Sequence, residues 1–419
     1  MENRNRLFIA SALSLFVTAV AFGIRSNLLA TWVKFGIDPV DAGWIFSAYL
    51  WGITPSVLLF GLLVETWGTA RVIVVLFTTL LAGILLTVLA TGFWSMFVAT
   101  LLIGISNGCI NAACNPLVTN LYPEEKTSKL NLFHMWYAIG VAVGCLMVFS
   151  LSQFGIEWRV QMALLLIPTL LCGVLFFGQK FPATERTLRG GSYKDMLKAI
   201  VSPIFLFLAF LMILTSSTEF GVNQWIPTLL KSAVADLFGD SAFGSALVLV
   251  WVSLVIAFAR LIAAPIVRKL SSLGVLLVST ILAGVGVYMM SLLSGWSVFI
   301  AATIVAFGIA YFWPNILGLV ADRKPMSGAL GLAIIGGVGT LGGAIIQPII
   351  AGIFSHELKL HGGEFAPGAV LTAAEEVAKT AAEATASSVT MRWFIVIPAF
   401  LVVAFTIMLI QQQRGKVSK

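Results

Sequence analysis

The sequence predicts an all-α membrane protein with about twelve transmembrane helices. Hydrophobic residues make up 59% of the 419-residue chain and charged residues only 10%, whereas charged residues make up about a quarter of an ordinary soluble domain. The mean hydropathy is +1.01. Lipid is therefore the expected solvent. Polar or Gly/Pro breaks divide the chain into stretches of about 20 apolar residues, the length that crosses the hydrocarbon core of a bilayer.

The predicted spans fall into two sets of six. The first set lies at 7–32, 41–64, 72–90, 94–121, 130–151 and 159–177. The second set lies at 203–230, 243–267, 273–293, 297–320, 327–354 and 393–410. The first span is too long for a signal peptide. A basic polar segment separates the sets, so we expect an N-terminal bundle over 1–178, a cytoplasmic linker over 179–202 and a C-terminal bundle over 203–419.

The charge distribution predicts the orientation in the membrane. The net charge is +7, but most basic residues, Arg71 and Arg268 among them, lie in alternate loops, as the positive-inside rule requires. This pattern accounts for the charge without a nucleic-acid partner. We expect both termini in the cytoplasm, the chain in the plasma membrane (the bacterial inner membrane), and segment 355–391, with its acidic run at 375–383, as an outward-facing loop.

The sequence offers no pattern that is typical of enzyme chemistry. Its four cysteines all fall inside predicted spans without metal-ligand spacing, and it has no nucleophile elbow, metal-spaced His cluster or phosphate-binding loop. We therefore expect no enzymatic activity, no metal and no cofactor. Secondary transport of a small polar solute by a monomer is the expected function, and a solute-binding membrane receptor that does not transport is the alternative from another class.

Two related loops indicate an internal repeat. Residues 61–71 stand between spans two and three, and residues 260–269 between spans eight and nine. Their spacing resembles the loop signature of the major facilitator superfamily. The resemblance implies two pseudo-symmetric six-helix bundles around a central cavity lined by spans 1, 4, 7 and 10, with alternating access to a site near the bilayer midplane. It assigns Arg71, Arg260 and Arg268 gating or structural roles.

Polar side chains concentrate in these inner spans. Asn107, Asn111 and Asn115 in span 4 lie on one helix face and suit a ligand with hydroxyl groups, or alternatively join packed helices. His134 and Tyr137, one turn apart in span 5, can present their tips to the same side. His134 is either a proton relay or a fixed hydrogen-bonding residue.

Span 7 contains the one carboxylate that we place well inside a span, Glu219, and it is the candidate for proton coupling. Asn223 and Gln224 follow it one turn later. Arg25 in span 1 lies at a similar depth, so an ion pair between Arg25 and Glu219 is expected, either as a switch or as a permanent structural pair. Alternatively, Arg25 holds an anionic ligand in a bidentate grip.

Span 10 supplies aromatic and amide groups. Trp313 can stack on the apolar face of a sugar ring while Asn315 binds a hydroxyl; the alternative is that the aromatic residues anchor the membrane interface. The glycines of span 11, between 336 and 343, favour close approach of helices.

The segment from Asn115-Pro116-Leu-Val-Thr to His134-Met-Trp-Tyr137 resembles the fourth and fifth spans of the fucose:proton symporter family. Members of that family have an acidic residue in span 1, another in span 4 and a glutamine in span 5. At the matching places this chain has Arg25, Asn111 and His134. The resemblance implies a sugar-like solute, and the departures leave Glu219 as the remaining carboxylate and make Arg25 suited to a sugar acid.

We therefore expect a secondary active transporter for a sugar or sugar derivative, embedded in the lipid bilayer and coupled to a proton, to sodium or to neither. A carrier or exporter of an organic anion or sugar acid, with Arg25 binding the anion, is the alternative. Glu219 is the expected proton-coupling residue. The residues expected around the substrate are Arg25, Asn111, Asn115, His134, Tyr137, Asn223, Gln224, Trp313 and Asn315.

Overall fold

The structure is a computed structural model that describes residues 3–33, 36–122, 126–182, 198, 200–238, 241–324, 327–362 and 371–417. This part of the chain contains twelve helices that are long and apolar enough to cross a membrane and no strand. They form two six-helix bundles, so the predicted fold class is confirmed. Most of the predicted linker lies outside the described residues, and its boundaries stay a prediction.

The helices of the first bundle are α1 Arg4–Ser26, α2 Pro39–Trp67, α3 Thr69–Leu89, α4 Phe93–Leu121, α5 Lys126–Gln153, and α6 in two segments, Trp158–Leu164 and Leu166–Phe176. Those of the second are α7 Pro203–Leu229, α8 Ser241–Leu261, α9 Ala263–Met290, α10 as Ser297–Ala310 and Phe312–Arg323, α11 Gly328–Leu360, and α12 as Ala373–Phe394 and Val396–Val417. Consecutive helices alternate in direction. We call the side that carries the start of α1 and the end of α12 the terminal face, and the other side the distal face.

The predicted loop over 355–391 is wrong for most of its length. Helix α11 runs on to Leu360, and α12 begins at Ala373. The start of α12 has a capping box, in which the Thr372 backbone N–H donates to Glu375 Oε2 at 2.8 Å and the Glu375 backbone N–H donates to Thr372 Oγ1 at 3.3 Å. The first part of α12 is rich in alanine, which favours a helix. Its three glutamates lower its hydropathy below the value expected of a membrane span, so the sequence did not predict a span here.

Small residues bring the helices of one bundle together. Gly52 of α2 and Gly104 of α4 lie against each other's helix, and a Cβ atom on Gly104 would collide with the backbone carbonyl of Tyr49. Gly23 of α1 and Gly144 of α5 make the same kind of contact. Because lipid provides no hydrophobic force between helices, close backbone packing of this kind holds membrane bundles together.

The two bundles close on each other toward the distal face. Gly43 near the start of α2 packs on Gln347 and Ala351 of α11. The Ser47 hydroxyl donates to the carbonyl of Ala344 at 2.6 Å. That carbonyl is free because Pro348, four residues later in α11, has no backbone N–H to donate to it.

Other pairs of helices complete this closure. The ring of Phe149 in α5 stacks on that of Phe243 at a centroid distance of 3.5 Å. The Gln224 side chain of α7 donates to the Ser26 hydroxyl at the end of α1 at 2.8 Å. The bundles are thus joined by α2 with α11, α5 with α8, and α1 with α7.

We predict that Gly43→Leu opens the distal face. A side chain there meets Ala351 of the other bundle, and overpacking of this kind costs about 2 kcal/mol, which disfavours the closed arrangement roughly thirtyfold. Spin labels at Phe154 and Leu292, both exposed near the ends of their helices, should report a longer distance in the variant. Gly61→Leu on the same helix, where nothing lies within 4 Å, is the control, and equal label distances in both variants would contradict the prediction.

Candidate functional site

Arg25 is a buried cation, and no carboxylate of the described residues forms an ion pair with it. It lies in the last turn of α1 and is 1% exposed. Its guanidinium carbon lies 4.7 Å from the centre of the Tyr49 ring, a distance that suits a cation–π contact. Its Nε and Nη1 atoms find no hydrogen-bond partner among the described residues. Donors of this kind are costly to bury without an acceptor.

The aromatic residues around Arg25 come from three helices. Phe22, one turn earlier in α1, packs on the rings of Tyr49 of α2 and Tyr137 of α5, with centroid distances of 6.0 and 6.3 Å. Tyr137 is within electrostatic range of both Arg25 and Glu219. Tyr49 was not expected here, because span 2 was not predicted to line the cavity and one aromatic residue in an apolar span is no signal.

Glu219 is paired with Arg260, and the expected ion pair between Arg25 and Glu219 is therefore wrong. Arg260 Nη2 lies 3.3 Å from Glu219 Oε1. Arg260 belongs to the same bundle as Glu219 and reaches it from the adjacent α8, whereas Arg25 belongs to the other bundle. The sequence had linked Arg260 to a loop signature, and its side chain instead turns into the bundle.

A break in α10 holds Arg260 in place. Pro314 has no backbone N–H, so the carbonyl of Ala310, four residues earlier, is left free. Arg260 Nε donates to this carbonyl at 3.3 Å. The Tyr311 hydroxyl donates to the carbonyl of Ala259 at 2.8 Å, and so α8 is attached to the break at two successive residues.

His134 of α5 lies within electrostatic range of Arg260. The structure thus brings the predicted residues of α1, α5 and α7 to one region, with Arg260 added from α8. Among the residues whose side chains are described, this region holds the charged groups Arg25, Arg260 and Glu219. Two guanidinium groups face one carboxylate, which leaves one positive charge uncompensated.

The three asparagines of α4 form a hydrogen-bonded ladder. Asn115 Nδ2 donates to Asn111 Oδ1 at 3.3 Å, Asn111 Nδ2 donates to Asn107 Oδ1 at 2.8 Å, and Asn107 Nδ2 donates to Thr18 Oγ1 of α1 at 2.9 Å. Asn111 Nδ2 also donates to the backbone carbonyl of Asn107 at 2.9 Å, which fixes the direction of the ladder. Asn107 therefore joins two helices, while Asn115 Oδ1 at the other end is buried with no partner in the described part of the chain.

Of the predicted site residues in α7 and α10, some contact other residues of the protein and one has an acceptor atom without a hydrogen-bond partner in the described chain. Gln224 is bound to Ser26 across the bundles. Asn223 is half-buried, and its Oδ1 has no partner among the residues described. Trp313 is half-buried and packs edge-on against the Phe220 ring at 6.2 Å. Asn315 donates to the carbonyl of Tyr311 at 2.9 Å, across the break in α10.

One of the predicted gating arginines, Arg71, lies away from this region. Arg71 is exposed at the start of α3, where it donates to the Trp67 carbonyl at 3.4 Å. The side chain of Arg268 lies outside the described residues. In the part of the chain that the structure describes, no group of three or more His, Cys, Asp or Glu side chains is arranged to bind a metal. The four cysteines are buried, as predicted.

The sequence family of the chain follows from a match over most of its length. The family model described as Major Facilitator Superfamily matches residues 7–347. The chain belongs to this superfamily.

Two curated relatives are similar over part of the chain. The first, "Solute carrier family 2, facilitated glucose transporter member 10" of Xenopus tropicalis, is 23% identical over 168 residues, 39% of this chain and 30% of that protein. The second, "Cis,cis-muconate transport protein" of Acinetobacter baylyi, is 24% identical over 251 residues, 56% of this chain and 60% of that protein. The chain thus matches less than two thirds of the length of either.

Solved structures share the whole fold. A variant of the nucleoside transporter NupG has a TM-score of 0.75 and 13% identity, covering 97% of this chain and 99% of that chain. A variant of the E. coli fucose:proton symporter has a TM-score of 0.60 and 17% identity, covering 94% of this chain and 98% of that chain. The resemblance to this group of transporters is confirmed at the level of fold.

We predict different effects on stability when the two inner arginines are substituted. Arg260→Gln leaves Glu219 buried without a cation and should destabilise the protein by about 3 kcal/mol. Arg25→Gln removes a charge that has no carboxylate partner and should leave thermal stability unchanged or raise it. Thermal unfolding of the purified protein, with Arg71→Gln as an exposed control, tests both. A large loss of stability in Arg25→Gln would contradict this assignment of partners.

Proposed function

We propose that this major facilitator transporter carries a small hydroxylated anion, such as a sugar acid, by alternating access between the two bundles. The observation behind the proposal is the uncompensated charge of Arg25. A guanidinium group binds a carboxylate through two parallel hydrogen bonds, and the Nε and Nη1 atoms of Arg25 are buried donors on the two edges of the guanidinium with no acceptor among the described residues. A bound carboxylate would supply both the missing acceptors and the missing negative charge.

The hydroxyl groups of the proposed solute match the unpaired amide oxygens. Asn115 Oδ1 and Asn223 Oδ1 are buried acceptors, and a hydroxyl is the simplest donor to them. The names of the relatives point to both parts of such a molecule. Muconate is a carboxylate, whereas the glucose transporter and the fucose symporter are named for sugars.

A neutral sugar is the second candidate, and the asparagine oxygens favour it equally. It would leave Arg25 without an acceptor in the loaded carrier, which is unfavourable in a low-dielectric interior. For that reason we propose the sugar acid first and keep the neutral sugar as the competing outcome of the experiment below.

The location of Arg25 connects binding to the movement of the bundles. Its neighbour in the chain, Ser26, accepts the hydrogen bond from Gln224 of the other bundle. A solute bound to Arg25 thus lies next to a contact that has to break when the distal face opens. We further propose that Glu219, held by Arg260, couples transport to protons, and that both termini are cytoplasmic in a monomer of the plasma membrane.

We predict that sugar acids stabilise the purified protein and that neutral sugars do not. A ligand at 100 times its Kd adds about 2.7 kcal/mol to stability, which is a clear shift in thermal unfolding. Arg25→Gln should abolish the shift for acids. The matched control, Arg71→Gln, should retain it. Stabilisation by neutral sugars that survives Arg25→Gln would instead support a sugar carrier in which Arg25 has a gating or structural role.

We predict that Glu219→Gln makes uptake insensitive to a proton gradient, because an amide neither binds nor releases a proton in this range. Uptake of a dianionic sugar acid into proteoliposomes is measured with and without an imposed pH difference. Glu376→Gln, which changes an exposed carboxylate of α12, controls for the loss of one charge. Proton coupling through Glu219 is excluded if the Glu219→Gln variant responds to the gradient as the parent does.

A further inference from the structure

We infer that the charge of the solute determines whether a proton travels with it: a dianion is carried with one proton on Glu219, and a monoanion is carried without one. This inference rests on the proposed function, since it takes Arg25 as the anion site. It names hydroxylated dicarboxylates as the class of solute whose transport is coupled to a proton. It also makes Arg260 the second anion-binding residue.

The dependence of proton uptake on solute charge follows from the charges of the buried side chains between the two bundles. With Glu219 ionised against Arg260, the region carries the single excess charge of Arg25. A monoanion bound there makes the region neutral, and no proton is needed. Net charge in a low-dielectric interior is costly, and the cost is lowest when the buried groups compensate one another.

A dianion leaves one negative charge in excess unless the protein takes up a proton. Glu219 is suited to accept it, because Oε1 is held by Arg260 at 3.3 Å while Oε2 is buried with no partner within the described chain. The proton comes from water on the side where the dianion enters, binds a lone pair of Oε2, and is released on the other side when the dianion leaves. No other bond is formed or broken.

Protonation of Glu219 also frees a donor for the second anionic group. Once Glu219 is neutral, Arg260 Nη2 no longer has a carboxylate partner. Arg260 nevertheless stays in the same position, because its Nε is anchored on the carbonyl of Ala310. The dianion is then held between Arg25 of the first bundle and Arg260 of the second. A monoanion reaches only the first of these.

The groups that face Glu219 come from several helices. Arg260 of α8 contacts it directly, and Tyr137 of α5 is within electrostatic range of it and of Arg25 of α1. His134 of α5 is within electrostatic range of Arg260 and is the alternative proton acceptor.

Among the described residues, α11 and α12, which pack on other sides of α7, present no charged side chain to Glu219. Helix α7 is hydrogen-bonded to α11 at two places. The carbonyl of Gly342 accepts a hydrogen bond from the Ser217 hydroxyl, and the Gln347 side chain donates one to the carbonyl of Phe220. On α12 the partner of α7 is Phe394, which lies against Gly221.

The test compares gluconate with glucarate, a monoanion and a dianion with the same six-carbon hydroxylated chain. Binding to the full-length protein in lipid nanodiscs is measured by calorimetry between pH 6 and 8, in two buffers that differ in ionisation enthalpy. We expect glucarate to take up one proton and its Kd to rise about tenfold per pH unit. The Kd of gluconate should stay constant, with no proton uptake.

Two variants identify the proton acceptor. In Glu219→Gln, which mimics the protonated state, glucarate should bind with a Kd that no longer depends on pH. In His134→Gln the pH dependence should remain. Proton uptake that survives Glu219→Gln but is lost in His134→Gln would overturn the assignment to Glu219.

The outcomes separate this inference from the proposed function. If both acids bind in a way that Arg25→Gln abolishes, but with equal proton uptake or none, the inference fails while the anion carrier stands. If neither acid binds, or both bind equally well to Arg25→Gln, the proposed function fails and the inference fails with it.

Discussion

An ionised side chain in the interior of a membrane protein needs a compensating charge nearby, because neither lipid nor packed apolar residues can solvate it. Arg260 and Glu219 meet this requirement for each other at 3.3 Å. Arg25 has no such carboxylate among the described residues, although it is more deeply buried than either: it is 1% exposed, against 22% for the Arg260 side chain and 11% for that of Glu219. The aromatic contact with Tyr49 compensates only part of the charge. The organisation of the central region, and our view of its ligand, depend on this difference between the two arginines.

Prolines in the helices are used to attach neighbouring elements. Pro314 frees the carbonyl of Ala310 for Arg260, and Pro348 frees that of Ala344 for Ser47. The first contact lies within one bundle and fixes a charged side chain. The second joins the two bundles on the distal side and has to break if that side opens. In lipid, where an unsatisfied carbonyl is costly, each kink therefore stabilises a particular contact.

The two ends of the asparagine ladder in α4 differ in their hydrogen bonding. Hydrogen bonding within α4 and to Thr18 satisfies most of its amide groups, so the interpretation as a link between helices is correct for Asn107. The direction of the ladder leaves its last acceptor, on Asn115, without a partner in the described chain. The interpretation as a ligand-binding stripe stays a prediction, and it now concerns this end of the row.

The sequence by itself determined the number of spans, their division into two sets and the helices that carry polar residues, because hydropathy and helical spacing are local properties of the chain. It also identified Arg25, His134, Tyr137 and Glu219 as inner residues. Only the tertiary structure decided which charges meet. Arg260 and Glu219 are 41 residues apart, and their contact depends on how α8 packs on α7 and on the free carbonyl of α10, which no local pattern encodes. The same holds for the helical start of α12, where capping and packing compensate for modest hydropathy.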